Sequence, residues 1–189
     1  TYGNGLFVAV ASVCPTLTCV KTSPDGITWT SRTVPSSGWS DVTYGGGRFV
    51  AISGGVTDQI MYSTDGITWA TSSPNFSNWD DVTYGNGTYV AVDGNSATKQ
   101  IMTSTDAATW TLRYALAGVT NQWRGITYAN GMFVAVAQTG SENRIMTSPD
   151  GVTWTARKSG NNTWQGVVYG NSRFVSVADA ADRSMVSTS

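Results

Sequence analysis

Histidine is absent from this 189-residue chain, and glutamate occurs once, at Glu142. A serine or cysteine nucleophile therefore lacks its usual base. The two cysteines, Cys14 and Cys19, cannot close a zinc site without further ligands. No metal, no cofactor and no catalytic residue is expected. Charged residues make up 12% of the chain, about half the usual share, and the formal net charge is −1. With no run of lysine or arginine, nucleic acid is not an expected partner. No apolar stretch approaches the roughly 18 residues of a spanning helix, so no membrane insertion is expected. No signal peptide is visible and the first residue is Thr1, which suggests a mature, trimmed or excised piece. Good helix formers are scarce.

Glycine, serine, threonine, asparagine and aromatic residues take their place, with 8 Trp and 8 Tyr. This is the texture of an all-β chain with polar turns, common in extracellular and surface proteins, so an extracellular or surface-associated location is expected. One stretch recurs: Ser23-Pro24-Asp25-Gly26-Ile27-Thr28-Trp29, Ser63-Thr64-Asp65-Gly66-Ile67-Thr68-Trp69, the eroded Ser104-Thr105-Asp106-Ala107-Ala108-Thr109-Trp110, and Ser148-Pro149-Asp150-Gly151-Val152-Thr153-Trp154. The copies lie 40 to 44 residues apart. Asp-Gly followed by a β-prone run is a hairpin signal, and its recurrence marks an internal repeat.

Aligned on this stretch, the chain contains five copies. Each predicts strand A (a Val-Thr-Tyr run, as in 41–45), strand B (Phe-Val-Ala-Val, as in 48–53), strand C (Ile-Met-Thr-Ser, as in 59–63) and strand D (from Ile-Thr-Trp onward, as in 67–72). Gly-Asn-Gly or a close variant between A and B supplies the positive φ of a tight hairpin. The B runs are apolar at consecutive positions, so both their faces should be buried. Small residues at Ala9, Ala51, Ala91, Ala135 and Ser176 suit a place where sheets converge. The architecture expected is an all-β, five-bladed β-propeller of four-stranded antiparallel blades. It forms a single domain, 1–189, with blades at about 1–34, 39–74, 79–115, 123–159 and 164–189. There are five A, B and C strands but four D strands. Either the fifth blade is three-stranded or the chain is a fragment of a larger ring. A bare strand edge recruits partners. The expectation is a closing strand upstream of Thr1 or, failing that, strand donation or homo-oligomerisation at the blade 5 edge.

The repeated Ser-x-Asp-Gly-x-Thr-Trp resembles a shortened Asp-box, the BNR repeat of the sialidase-like propellers. That resemblance implies structural roles for Asp25, Asp65, Asp106 and Asp150, capping turn amides, and for Trp29, Trp69, Trp110 and Trp154, packing in the blade. It places these turns away from the ligand face. The sialidase chemistry it would also imply needs an arginine triad and a Tyr–Glu pair. Arg48 and Arg173 share a repeat position that holds Leu6, Thr88 and Met132 elsewhere, and Glu142 falls in a B–C loop away from any candidate Tyr. Tachylectin-type lectins share the five-bladed ring, an analogy of fold alone.

In a propeller the D–A and B–C connections share one face. The B–C loops, 12–18, 54–58, 93–99, 137–143 and 178–182, are the variable part of the repeat, as in a scaffold that carries a binding site. Trp39, Trp79, Trp123 and Trp164 close the D–A connections. They are candidate sugar-stacking platforms, although wedging between blades as core is the commoner use of such residues. Asp41 and Asp81 are candidate ligand contacts. With Asp80, they are the only carboxylates placed for glycoside hydrolysis, and capping of strand ends is the plainer reading. Cys14 and Cys19 flank Pro15. A disulfide between them would close the first B–C loop, worth roughly 2 kcal/mol, and two free thiols are the alternative. The function expected is non-enzymatic binding of a glycan or protein at a cell, virion or secreted surface. The alternatives are an assembly module of a larger particle and a degenerate glycoside hydrolase.

Overall fold

The computed structural model covers residues 1–189 and describes all but 14–15, 36, 55–59, 73–77, 96–100, 117, 180–185 and 189, with only the backbone of 186–188. Cys14 lies outside the described residues. So do parts of the 12–18, 54–58, 93–99 and 178–182 loops and of the fifth predicted C strand.

The chain forms five consecutive antiparallel sheets. Sheet 1 holds β1 (Tyr2–Gly3), β2 (Leu6–Val10), β3 (Val20–Ser23) and β4 (Thr30–Arg32). Sheet 2 holds β5 (Trp39–Gly45), β6 (Arg48–Ser53), β7 (Ile60–Ser63) and β8 (Ala70–Ser72). Sheet 3 holds β9 (Trp79–Gly85), β10 (Thr88–Asp93), β11 (Ile101–Ser104) and β12 (Thr111–Arg113). Sheet 4 holds β13 (Trp123–Ala129), β14 (Met132–Ala137), β15 (Ile145–Ser148) and β16 (Thr155–Arg157). Sheet 5 has three strands, β17 (Trp164–Gly170), β18 (Arg173–Ala178) and β19 (Val186–Thr188). Within each sheet, strands follow chain order. The first strands of neighbouring sheets pack directly on one another, β5 on β9, β9 on β13 and β13 on β17. They form the inner side of the array.

The first two strands of each sheet meet in a two-residue turn with both central residues at positive φ, as at Asn86 (φ 47°) and Gly87 (φ 77°). This is the twist-matched hairpin that Asn-Gly favours. One expectation fails. The fourth strands begin after the tryptophan, at Thr30, Ala70, Thr111 and Thr155, and not at Ile-Thr-Trp. The reason is the aspartate. Asp65 Oδ1 accepts the Ile67 and Thr68 amides at 2.8 Å each, so those two amides serve the turn and not the sheet ladder. Ser63 donates to the same carboxylate and accepts the Gly66 amide. Asp25, Asp106 and Asp150 each hold the corresponding pair of amides. Each tryptophan Nε1 donates to the carbonyl three residues earlier, closing the loop.

The core lies between sheets. Val50, Ile52 and Ile60 of sheet 2 pack against Trp79, Tyr89, Ala91 and Met102 of sheet 3. Val90, Val92 and Ile101 of sheet 3 take Trp123, Phe133, Ala135 and Met146 of sheet 4 in the same way. Sheets 2 to 4 thus each have a front face (Phe or Tyr, Ala, Met, Trp) turned to the preceding sheet and a back face (Val, Val or Ile, Ile) turned to the following one. At about 25 cal/mol per Å² of apolar surface buried, these faces are the main source of stability. The small alanines sit at the convergence, as their size suggested: Ala51, Ala91 and Ala135 are fully buried. A tyrosine ring locks three of the four junctions. The Tyr44, Tyr84 and Tyr128 rings lie over Gly3, Gly45 and Gly85, where any Cβ would run into them. Burial of the second strand on both faces holds for β6, β10 and β14 but not for β2 or β18. The front of sheet 1 and the back of sheet 5 are open.

Candidate functional site

The starts of the first strands and the ends of the second strands lie at one end of the sheets, as the Trp39–Ser53 and Trp79–Asp93 pairings require. Each first strand carries a β-bulge there. In sheet 2 it falls between Trp39 and Asp41, and in sheet 3 the register passes from Trp79 to Asp81. Sheets 4 and 5 repeat it at Arg124 and Gln165. In a regular strand neighbours point to opposite faces. The bulge re-aims one residue, so Asp80 and Asp81 both reach toward sheet 4.

Asp80 Oδ1 pairs with Arg124 Nη1 at 2.6 Å. Asp81 Oδ2 accepts the Ile126 amide at 2.7 Å, and Asp41 Oδ2 accepts the Val82 amide at 3.2 Å. The Asp41 and Asp81 side chains also hydrogen-bond to one another. An aspartate at this repeat position therefore ties β5 to β9 and β9 to β13. At the junction of sheets 4 and 5 the position is glycine. A Cβ on Gly125 would lie 2.9 Å from the Gly166 Cα, so those strands approach too closely for a side chain. Asp93, at the end of β10, is buried and accepts the Asn95 amide at 2.6 Å. Gly94 passes directly under the Asp80–Arg124 pair, and a Cβ there would displace the Asp80 carboxylate.

Burial dominates the electrostatics here. It pushes the Asp93 carboxyl up to about 7, against the Asn95 amide and with added repulsion from Asp80. Burial also raises Asp81 well above the ordinary carboxylate range, helped by the adjacent Asp41. Asp80 is raised too, because burial outweighs the Arg124 guanidinium. At the outer turns the balance is reversed. The Thr68 and Ile67 amides hold Asp65 down to about 2. Asp25 and Asp106 are held at about 2 by the equivalent amide pairs. At Asp150 burial opposes the Thr153 and Val152 amides, and the amides win.

The sequence candidates divide. Asp41, Asp80 and Asp81 are brought together. Trp39, Trp79, Trp123 and Trp164 are 0 or 1% exposed. A stacking platform needs an open ring face, and in this structure none of the four offers one; they fill the junctions between sheets. Of the box tryptophans, Trp154 is buried, Trp69 and Trp110 are half-buried, and Trp29, on the open front of sheet 1, is 40% exposed. Cys19 is buried, with its Sγ 3.0 Å from the Thr16 carbonyl oxygen. Its expected bridge involves Cys14, outside the described residues. Glu142 pairs at 3.8 Å with exposed Lys158. Among the described residues, no group of three His, Cys, Asp or Glu could hold a metal ion, and no helix is long and apolar enough to cross a membrane.

Two members of the cluster were missed in sequence. Asp93 fell at the edge of a variable loop, and Arg124 shares a repeat column with Ser40, Asp80 and Gln165, which shows no common chemistry. An opposite charge in adjacent repeats of that column was the available signal.

No family model matches the chain, and no curated protein matches it. Among solved structures it is similar to a streptogramin B lyase (TM-score 0.72, 15% identity over 89% of this chain and 60% of that one). It is likewise similar to the catalytically inactive virginiamycin B lyase from Staphylococcus aureus with quinupristin (TM-score 0.70, 15% identity, 89% and 61%). A third is YCF48 bound to D1 peptide (TM-score 0.62, 16% identity, 99% and 67%). These are β-propellers, and at such identities the likeness establishes the fold alone: the five sheets have the blade architecture of a β-propeller. The chain spans about 60% of the length of the lyases.

Proposed function

We propose that this chain is a binding propeller that acts by recognition, and that its inner rim takes a protein segment bearing a cationic side chain. One observation carries the reading: Asp41 adjoins Asp81, Asp93 adjoins Asp80, and Asp80 pairs with Arg124, at the end of the blades where the variable loops lie. Carboxyls held partly neutral by burial are ready to ionise against a lysine or arginine. A bound peptide in one of the similar propellers, YCF48, supports a protein partner over a glycan. Recognition is favoured over glycoside hydrolysis because the Asp41 and Asp81 carboxyls hydrogen-bond directly. Hydrolysis holds its two carboxyls about 5 to 9.5 Å apart to admit the substrate. A surface or secreted location remains a proposal, supported by composition.

The experiment is fluorescence anisotropy with a library of labelled peptides varied in lysine and arginine content, run beside a glycan array and fluorogenic glycosides. Cationic peptides should bind, more tightly at pH 8 than at pH 5, since ligand charge displaces protons from Asp81 and Asp93. Asp93→Asn together with Asp80→Asn should abolish the preference. Binding confined to the glycan array, or turnover of a glycoside, would sink the reading.

A further inference from the structure

The connections from one sheet to the next are not alike. Residues 33–38, 73–78 and 158–163 each make the passage in six residues, whereas 114–122, between β12 and β13, uses nine. The longer connection ends beside Arg124, the partner of Asp80. Its extra length is packed down. Ala115 is buried, and Leu116 and Val119 lie against the core between sheets 3 and 4. Asn121 is buried too, and its Nδ2 donates to the Asn143 carbonyl of the neighbouring B–C loop at 2.9 Å. The Gln122 amide donates to Thr139 Oγ1 of the same loop at 2.9 Å. One large side chain of this connection stays outside: Tyr114 is 66% exposed, the most exposed aromatic among the described residues.

A single exposed apolar side chain is ordinary on a protein surface. The place of this one is not. Strand pairing sets Asp81, Val92, Ile101 and Arg113 in one row across sheet 3. Asp93 and Tyr114 each follow that row by one residue, at the end of the sheet where the acidic groups gather. Their strands, β10 and β12, are separated by β11. Two strand spacings put the backbone of Tyr114 roughly 10 Å outboard of Asp93. An extended peptide covers that distance in about three residues. The equivalent positions in the other connections are Thr33, Ser73 and Lys158, so only this blade sets an aromatic beside the acidic rim.

We propose that Tyr114 is a further specificity-determining residue of the rim, the anchor for an aromatic side chain three residues from the cation of a bound peptide. This rests on the peptide reading above. The cation pairs with Asp80 and Asp93, and the second side chain stacks on the Tyr114 ring. Tyrosine gives a large, rigid contact with few torsions to fix. A ring carried on a packed connection also loses little freedom on binding. Trp39, Trp79, Trp123 and Trp164 cannot serve instead, because their rings are buried between sheets.

Fluorescence anisotropy with four labelled peptides tests the spacing. Two carry Arg-Ala-Ala-Trp and Trp-Ala-Ala-Arg, since the direction of the peptide is open. Arg-Ala-Ala-Ala and Arg-Trp-Ala-Ala are the controls. One of the spaced peptides should bind at least about fivefold more tightly than either control, as aromatic pairs do beyond the area they bury. Tyr114→Ala should bring it down to the affinity of Arg-Ala-Ala-Ala, and Tyr114→Phe should keep the advantage. Both variants should melt with the wild-type chain, because the ring is exposed. If Arg-Ala-Ala-Ala binds but spacing gives no gain, or if Tyr114→Ala keeps the gain, the anchor is refuted while the peptide reading stands. If none of the four binds the wild-type chain, both are overturned together.

Discussion

Aspartates work in two places in this molecule, and the two places reverse their chemistry. At the outer turns Asp25, Asp65 and Asp106 are exposed, and backbone amides two and three residues on hold them down to about 2. At the inner rim the amide donors to Asp41 and Asp81 come from 41 and 45 residues away, and burial lifts Asp81 and Asp93. Whether donors or desolvation dominate decides the sign. The consequence for stability is opposite in the two regions. A lowered carboxyl contributes stability that is present above about pH 4 and is lost as pH falls toward 2. A raised carboxyl contributes stability that is full below about pH 4 and is lost as pH rises, by about 7 for Asp93.

The largest expected effect tests whether an outer turn is held by packing as well as by its carboxylate. Trp154 and Trp29 make the same Nε1 bond to a turn carbonyl, but only Trp154 is buried, 8% against 40% exposed. Trp154→Ala should cost about 3–5 kcal/mol in urea unfolding, as buried aromatics do, and Trp29→Ala less than half of that. Equal losses would show that contact with the preceding sheet does not matter.

Next comes Arg124→Ala, which leaves Asp80 without its ion pair in a half-buried site. A loss of about 1–2 kcal/mol is expected, below that of a fully buried pair because both side chains reach solvent. The loss should be greater at pH 8 than at pH 5, since only ionised Asp80 needs the guanidinium. A pH-independent loss would assign Arg124 to packing.

Asp65→Ala, which frees two turn amides, should cost roughly 1 kcal/mol at pH 7. Compared by thermal melts down a pH series, wild type and variant should converge as pH falls toward 2. A constant gap would mean that charge has no part in the turn.

The smallest effect, Asp93→Asn, bears on the inner rim alone. Between pH 5 and pH 8 the melting temperature of the wild-type chain should fall more than that of the variant. A wild-type profile that rises over this range would contradict the raised Asp93 carboxyl.

The sequence alone determined what depends on neighbours in the chain. The Asn-Gly hairpins, the five-fold repeat, the second strands and the capping aspartates all rest on contacts within a few residues, so Asp65 and Gly66 were readable as a turn. The fourth strands were misplaced by three residues because a carboxylate accepting two amides removes them from the ladder, a competition that β-propensity does not register. Tertiary structure decided the rest. Trp39, Trp79, Trp123 and Trp164 have the same pattern whether they face a ligand or a neighbouring sheet, and only the packing of one blade on the next buries them. Asp93 and Arg124 joined Asp80 and Asp81 because a bulge re-aimed one residue and stacking of repeats brought together positions some 44 residues apart. Side-chain pattern fixes which face of a strand is apolar. What covers that face, and therefore how a carboxyl titrates, is set by desolvation and by distant donors that only the folded array assembles.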